Sequence, residues 1–414
     1  MLHHVIAVFS RDFHELGHPS MSKENSVVIV AATRTPMGGM QGEFANVSAP
    51  ELGAAAIKAA VERAGIDNNA IDEVYFGNVV SAGLKQAPAR QAALGAGVSN
   101  ATPCTTISKV CGSGMKAVMI GRDQIAAGNA DVIMTGGMEN MSATPYLIPK
   151  ARAGLRMGHG EIKDSLFLDG LEDASTGGLM GAFGQATADE YGIDREAMDN
   201  FAIRSLTRAQ KAVTDGFMKD EIASVTVKTR KGEVVIAEDE QPGKANPAKI
   251  PQLRPAFKKD GSITAANASS MSDGAAALLL MRESTAEAKG CKPIARLVAQ
   301  ASHAQAPEEF CLAPVGAMQK VLEKANWSTD DVDLYEINEA FAVVTMLAID
   351  KLGLDPEKVN VNGGACALGH PLGASGARII VTLIHALQRL NKKRGVASLC
   401  IGGGEATAVA IELL

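Results

Sequence analysis

The stretch Ser108–Gly137, SKVCGSGMKAVMIGRDQIAAGNADVIMTGG, holds a glycine-rich turn, a helical stretch and a buried strand in direct succession. Met115, Val118 and Met119 recur at helical spacing, which predicts a helix over 112–127. The apolar run 131–135 that follows predicts a strand ending at Gly136-Gly137. Upstream, 27–32 (VVIVAA) reads as a buried strand, 51–64 as a helix between Pro50 and Gly65, and 73–80 (EVYFGNVV) as a further strand. A β-α-β succession of this kind implies parallel strands covered on both faces, an α/β fold.

A second copy of the pattern lies near the C-terminus. Strands are expected at 294–299, 332–337 and 396–401, and a glycine-rich entry, GASG at 373–376, leads a helix over 373–390. The spacing from CGSG (111–114) to DVIMTGG matches that from GASG to VASLCIGGG, so an internal duplication is the simplest account. Between the copies the pattern breaks into a Gly-, Pro- and charge-rich stretch with a helix at 195–215. The expected organisation is an extension over 1–25, a first half over 26–141 and 271–292, a loop domain over 142–270, and a second half over 293–414. Met21 is close enough to the first strand to be an alternative start.

Composition narrows the function classes. With 46% hydrophobic and 21% charged residues the 414-residue chain reads as globular. Its net charge of −6 argues against general attraction to nucleic acid or anionic membrane. No apolar run is long enough for a membrane span, and the first 25 residues lack a signal-peptide core and an Arg-rich amphipathic pattern. The six cysteines form no CxxC pair and no metal-ligand spacing, so a reducing, cytoplasmic setting is expected, with no metal and no disulfide framework. No GxxxxGK[ST] occurs, and no GxGxxG joins the first strand to the first helix, which weakens nucleotide-binding readings.

Cys111 falls where a turn enters a helix, and a thiol there can gain thiolate character from the helix N-terminus. A buried structural cysteine is the competing reading. His370, between Gly369 and Pro371 in a loop, suits a general base of near-neutral pKa, against the alternative of a satisfied structural histidine. Cys400 ends a strand beside Gly402, Gly403 and Gly404, whose backbone N–H groups could approach a ligand as an oxyanion hole requires. Asn338 and Glu339 follow a strand, where a helix cap is the more ordinary role.

Together, SKVCGSGMKA at Cys111, INEAFA at Asn338, NGGACALGHPLGASGARI at His370 and LCIGGG at Cys400 resemble the thiolase family in sequence and order, from about Val27 to Leu414. The resemblance implies a duplicated αβαβα layered fold with an inserted loop domain. It implies that Cys111 is acylated by a CoA thioester, that His370 takes its proton, and that Cys400 removes a methyl proton from a second acetyl-CoA. The resulting enolate gives acetoacetyl-CoA. Asn338 would hold a water against the enolate oxygen, and the N–H groups of Cys111 and Gly402 would hold the acyl oxyanion. Within NASSMSDGAAA, Ser269 would meet the pantetheine arm, with Ser270 where many members carry glycine. In GLMG (178–181), Leu179 replaces a frequent histidine and Met180 keeps an apolar pocket wall. Lys244 would lie near the CoA phosphates, although the family's basic residue does not align cleanly there. After Gly404 the chain reads EAT where a further glycine is frequent.

The implied partners are acetyl-CoA, acetoacetyl-CoA and CoA as substrates, with no cofactor and a homodimer or homotetramer. The runner-up is a 3-ketoacyl-CoA thiolase of β-oxidation acting on longer chains. A carrier-protein ketoacyl synthase fits Cys400 and INEAFA less well. A silent CoA-binding scaffold would bind without acylating Cys111.

Overall fold

The computed structural model describes residues 26–414; the expected extension and the Met21 start lie outside the described residues. Each half of the fold uses five strand positions. In the first half these are β1 (Val27–Arg34), β2 (Glu73–Gly77), β3 (Cys104–Ile107), β4 (Val132–Asn140) and β5 (Ser272–Arg282), in the spatial order β3-β2-β4-β5-β1. In the second half they are β6 (Ala295–Ala304), β7 (Leu334–Ile337), β8 (Arg394–Ile401) and β9 (Glu405–Leu413). A bridge from Val359 to Tyr335 stands where the third strand would be, giving the order Val359-β7-β8-β9-β6. The halves therefore share one topology, and they join where Val28 and Ile29 of β1 pair with Arg296 and Ala295 of β6.

Helices repeat in the same way. Helices α1 (Ala49–Ala64), α2 (Pro88–Gly95) and α3 (Ser113–Ala126) connect strands of the first half, and α6 (Ala313–Ala325), α7 (Ala342–Leu352) and α8 (Leu372–Arg389) do so in the second. Alternation along β5 assigns the layers: Ala275, Ala277, Leu279 and Met281 face the core under α1 and α2, while Ala276, Leu278 and Leu280 face α3 and α8. The second sheet likewise turns Leu399 and Val409 toward the central helices and Ala408 and Ala410 toward α6. Helices α3 and α8 thus form a buried middle layer between the two halves of one continuous sheet, each half covered outside by further helices.

The halves differ at one connection. Residues 402–404 alone join β8 to β9, whereas residues 141–271 lie between β4 and β5. That long segment carries α4 (Met180–Glu190), α5 (Arg195–Thr214) and two short hairpins. It is tied to the first strand by charge. The fully buried Arg34 reaches Glu221 at 2.5 Å and takes Asp239 bidentately at 2.7 and 2.8 Å, the geometry that makes a buried arginine tolerable.

Three expectations need correction. The strand expected to stop at Gly136-Gly137 continues to Asn140. Its glycines are there for clearance, since a Cβ on Gly137 would stand 1.9 Å from the carbonyl oxygen of Gly373. The strand expected to reach Val80 ends at Gly77, after which the chain turns so that the N–H groups of Val79 and Val80 donate to Glu139. The strands are not all parallel: β2, β3 and β4 are, but β1 runs antiparallel to both β5 and β6. The return of β5 through the centre of the sheet sets this, because it places an oppositely directed strand beside β1.

At the crossing of the middle helices, a Cβ on Gly376 would meet the backbone nitrogen of Met115 at 2.5 Å. Gly376→Ala should therefore destabilise the protein by about 1–3 kcal/mol in denaturant unfolding. Gly243→Ala, with nothing within 4 Å of the added methyl, should stay within about 0.5 kcal/mol. Equal stability of the two variants would contradict the close crossing.

Candidate active site

The middle helices begin side by side. Gly114 of α3 is so close to α8 that a Cβ there would meet Gly373 O and Ala377 N, each at 2.9 Å. Because no side chain separates their first turns, the loops that enter them, carrying Cys111 and His370, open into one cavity. It measures 1040 Å³ and is also lined by Cys400 and Gly402 from the β8–β9 turn. Three chain segments from two halves supply these groups.

Cys111 precedes Gly112, the residue that leads into α3. The residue before it, Val110, has φ of +45°, a left-handed conformation that a β-branched side chain rarely adopts. Such strain is concentrated at functional turns. The thiol itself corrects the expectation of a resting thiolate: burial pushes its pKa up to about 11. The N–H groups of Gly402 and of Cys111 itself pull the other way without prevailing. Both N–H groups act on the sulfur, so they lie close to where the oxygen of a thioester carbonyl attacked by that sulfur would gain charge.

His370, expected in a loop between Gly369 and Pro371, is buried. Its Nδ1 lies 2.5 Å from Ser375 Oγ, and the Ser375 hydroxyl lies 3.0 Å from the carbonyl of Pro371. When the serine donates its one proton to that carbonyl, Nδ1–H donates to the serine, and Nε2 is left as a lone pair. Nε2 is buried and has no protein partner among the described residues. Burial first, then the nearby Arg378 cation, hold the histidine down to about 3. It is a neutral base at working pH, and the near-neutral pKa expected from sequence does not hold.

Cys400 lies in β8 within an apolar cluster that includes Phe310, Phe341 and Val344. Burial raises its pKa well above that of an ordinary thiol, and any ionisation of Cys111 or Cys311 would raise it further. The influence of Cys111 places the two thiols in one electrostatic environment. Asn338 is buried with both amide atoms unpartnered among the described residues. Neither it nor Glu339 caps α7, whose N-cap is Phe341 without a side-chain hydrogen bond. Glu339 instead gathers Ser205 Oγ, Asn360 Nδ2 and the Cys366 N–H at 2.6–3.1 Å.

Leu179, Met180, Ser269 and Lys244 all line the cavity. Lys244 pairs with Glu240 at 2.5 Å, so its charge is already partly balanced. Ser270 donates to Gln241 at 2.7 Å and lines the same wall. Among the described residues no group of three or more His, Cys, Asp or Glu could hold a metal ion.

Several contributors had no motif of their own. Glu139, pushed up to about 7 by burial, accepts from Gly373 N at 2.9 Å and from Asn78, Val79 and Val80. It pins the start of α8 to the turn after β2. Lys249 lines the cavity as a further cation. Phe257 and Phe310 both pack edge-on against Phe341, with centroids 6.5 and 6.3 Å away, and wall the apolar end. Ser375 could have been paired with His370 from their five-residue separation around a helix start; the phenylalanines, far apart in sequence, could not.

Comparison with known proteins bears on this site. Residues 27–284 match the family described as "Thiolase, N-terminal domain", and residues 291–413 match "Thiolase, C-terminal domain". Acetyl-CoA acetyltransferase of Escherichia coli K12 is 50% identical over 389 residues, covering 94% of this chain and 99% of that protein. The protein of the same name from Pseudomonas aeruginosa is 48% identical over 387 residues, covering 93% and 98%. The crystal structure of the Bacillus anthracis acetyl-CoA acetyltransferase superposes with a TM-score of 0.92 at 43% identity, covering 94% of this chain and 99% of that one.

Since the resting Cys111 is a thiol, alkylation by iodoacetamide should accelerate with pH by roughly tenfold per unit from about pH 6 to about pH 9. Peptide mass mapping follows the modified residue. A rate that levels off near neutrality would show a thiolate and overturn this assignment.

Proposed function

The chain belongs to the thiolase family, and we propose that it is an acetyl-CoA C-acetyltransferase, joining two acetyl-CoA reversibly into acetoacetyl-CoA and CoA. The observation that carries the mechanism is the convergence of Cys111, His370, Cys400 and Gly402 on one cavity. In the first half-reaction, Nε2 of His370 takes the Cys111 proton as sulfur attacks the thioester carbon. The N–H groups of Cys111 and Gly402 hold the oxyanion, the C–S bond to CoA breaks, and His370 returns the proton to the leaving CoA sulfur. A proton-transfer pair fits the raised thiol and the neutral imidazole: no free thiolate is needed beforehand, because proton loss accompanies attack.

In the second half-reaction, Nε2 of His370 takes the Cys400 proton, and the Cys400 sulfur then removes a methyl proton from a new acetyl-CoA. The enolate oxygen is stabilised by the His370 side and by a water on Asn338, and the enolate carbon attacks acetyl-Cys111. The Cys111 sulfur departs and takes its proton from the His370 imidazolium, so both thiols and the imidazole end as they began. Ser269 lines the route of the pantetheine arm, Leu179 and Met180 form the apolar wall, and Lys244 with Lys249 provide cations for the CoA phosphates. CoA thioesters are thus substrates, and no cofactor takes part.

Two features support acetyl over long acyl groups: the wall of Phe257, Phe310 and Phe341, and the packing of Phe310 and Phe341 with Cys400 in one apolar cluster. We place the protein in the cytoplasm, supported by its six free cysteines. We place it there as a homo-oligomer, supported by the exposed apolar side chains Tyr146, Ile148 and Ile162 about one hairpin.

Half-reaction assays test the division of labour between the thiols. Cys111→Ser should abolish condensation and thiolysis, while Cys400→Ala should still accept an acetyl group on Cys111 and fail to condense. Full condensation by either variant removes that residue from the mechanism. In the same assays wild-type kcat/KM should be higher for C4 than for C8–C16 3-ketoacyl-CoA; equal or better turnover of long chains would identify the longer-chain thiolase instead.

A further inference from the structure

Helix α8 carries Ser375, Arg378 and Thr382 on one face, at three- and four-residue spacing, and all three are buried. Ser375 holds the ring of His370, and Thr382 donates to Glu221 at 3.1 Å. Between them sits an anomaly. Arg378 is fully buried, yet its Nε, Nη1 and Nη2 have no hydrogen-bond partner among the described residues. Its ion-pair partner is Glu336 of β7, with Nη1 and Oε2 separated by 3.7 Å, too far for a direct hydrogen bond.

The gap is shared from the other side. Glu336 Oε1 and Glu221 Oε2 are buried and likewise unpartnered among the described residues. Two residues beyond Glu336, Asn338 leaves both amide atoms unpartnered, and His370 leaves Nε2. The uncompensated groups therefore run from the cavity wall into the polar layer between α8 and β7. A buried guanidinium cannot forgo its hydrogen bonds without a heavy penalty, and buried polar atoms lacking protein partners are met by internal water. An ion pair held just beyond contact distance, with orphaned atoms on both members, is the geometry of a water bridge.

We propose that Arg378 and Glu336 are positioning residues that hold internal water between α8 and β7, and that this water fixes the His370 ring and the Asn338 amide for reaction. The proposal rests on the acyl-transfer reading above. Its electrostatics fit. The groups influencing the pair are Arg34 of β1, Glu221 of the inserted segment, and Glu339 after β7. Arg34 is itself balanced by Glu221 and Asp239. Burial pushes Glu336 up to about 8, with Arg378 opposing the rise, so the carboxyl only partly neutralises the arginine. A proton taken by Nε2 from Cys111 then faces the Arg378 cation, which favours its onward transfer to the departing CoA sulfur.

Two measurements decide the proposal. A high-resolution crystal structure of the wild-type protein should show ordered water on the Arg378 nitrogens and on Glu336 Oε1; protein groups saturating all three nitrogens would overturn it. The second uses Arg378→Met/Glu336→Gln, which removes both charges without stranding either in the interior. That variant should keep KM for acetyl-CoA within about twofold, while kcat falls by roughly tenfold, as for groups that orient reactive ones. The acid limb of its kcat/KM profile should move to higher pH, because the cation opposing His370 protonation is gone. Arg378→Lys, which keeps the charge, should leave that limb in place. A folded double variant with wild-type kcat and an unmoved acid limb would overturn the proposal, as would an acid limb in Arg378→Lys displaced like that of the double variant. Failure of wild type to acetylate Cys111 would instead sink the acyl-transfer reading, leaving the water observation to stand alone.

Discussion

The crossing of α3 and α8 without intervening side chains is the constraint on which the rest of the molecule depends. Gly114 and Gly376 let the two backbones come within contact distance, and Gly137 with Gly373 lets β4 approach the start of α8. Each is a position where a methyl group would strike backbone, so relief by a rotamer change is not available. Duplication of the half-fold makes this crossing possible, since the equivalent helix of each half points its N-terminal turn at the other. Placing Cys111 and His370 at those two turns turns a packing solution into a catalytic one.

Burial then sets the chemistry. A helix N-terminus alone would favour a thiolate at Cys111, yet desolvation outweighs the donors of Gly402 and Cys111 and leaves a thiol. The same burial holds His370 neutral, with its free lone pair selected by Ser375. With the acid raised and the base lowered, the proton stays on sulfur at rest and moves only when a thioester carbonyl is present to take the sulfur's electrons. Cys400, deeper among apolar side chains, is a still weaker acid, in keeping with a group whose task is to take a proton from carbon rather than to carry an acyl group. Glu139, bonded to the first turn of α8 and to the turn after β2, fixes the frame in which these distances hold.

Much of this was legible in the chain. The periodicity of 112–127 and the repeated glycine-rich entries gave the duplicated helices to within a residue or two, and the motifs about Cys111, His370 and Cys400 identified groups that the fold brings to one cavity, while Asn338 is buried and does not line it. What stayed hidden were properties that depend on the partner rather than on the segment. Gly136-Gly137 read as a strand end because glycine usually breaks strands; only the close approach of Ala276 and Phe76 to Gly136 and of the start of α8 to Gly137 explains why β4 passes through. The reversed strand is β5, which runs against both β1 and β4 and follows β1 by more than two hundred residues. The protonation states of Cys111 and His370 depend on how deeply both halves enclose them, and the pairing of Arg378 with Glu336 spans two elements whose local patterns say nothing of each other.

The central claim is that this shared cavity makes Cys111, and no other of the six cysteines, the carrier of an acetyl group. Intact mass after brief incubation with acetyl-CoA, compared between wild type and Cys111→Ala, tests it most directly. The account predicts one acetyl adduct in wild type, mapped to the Cys111 peptide and absent from the variant. No adduct on well-folded wild type, or an adduct that persists in Cys111→Ala, would contradict it.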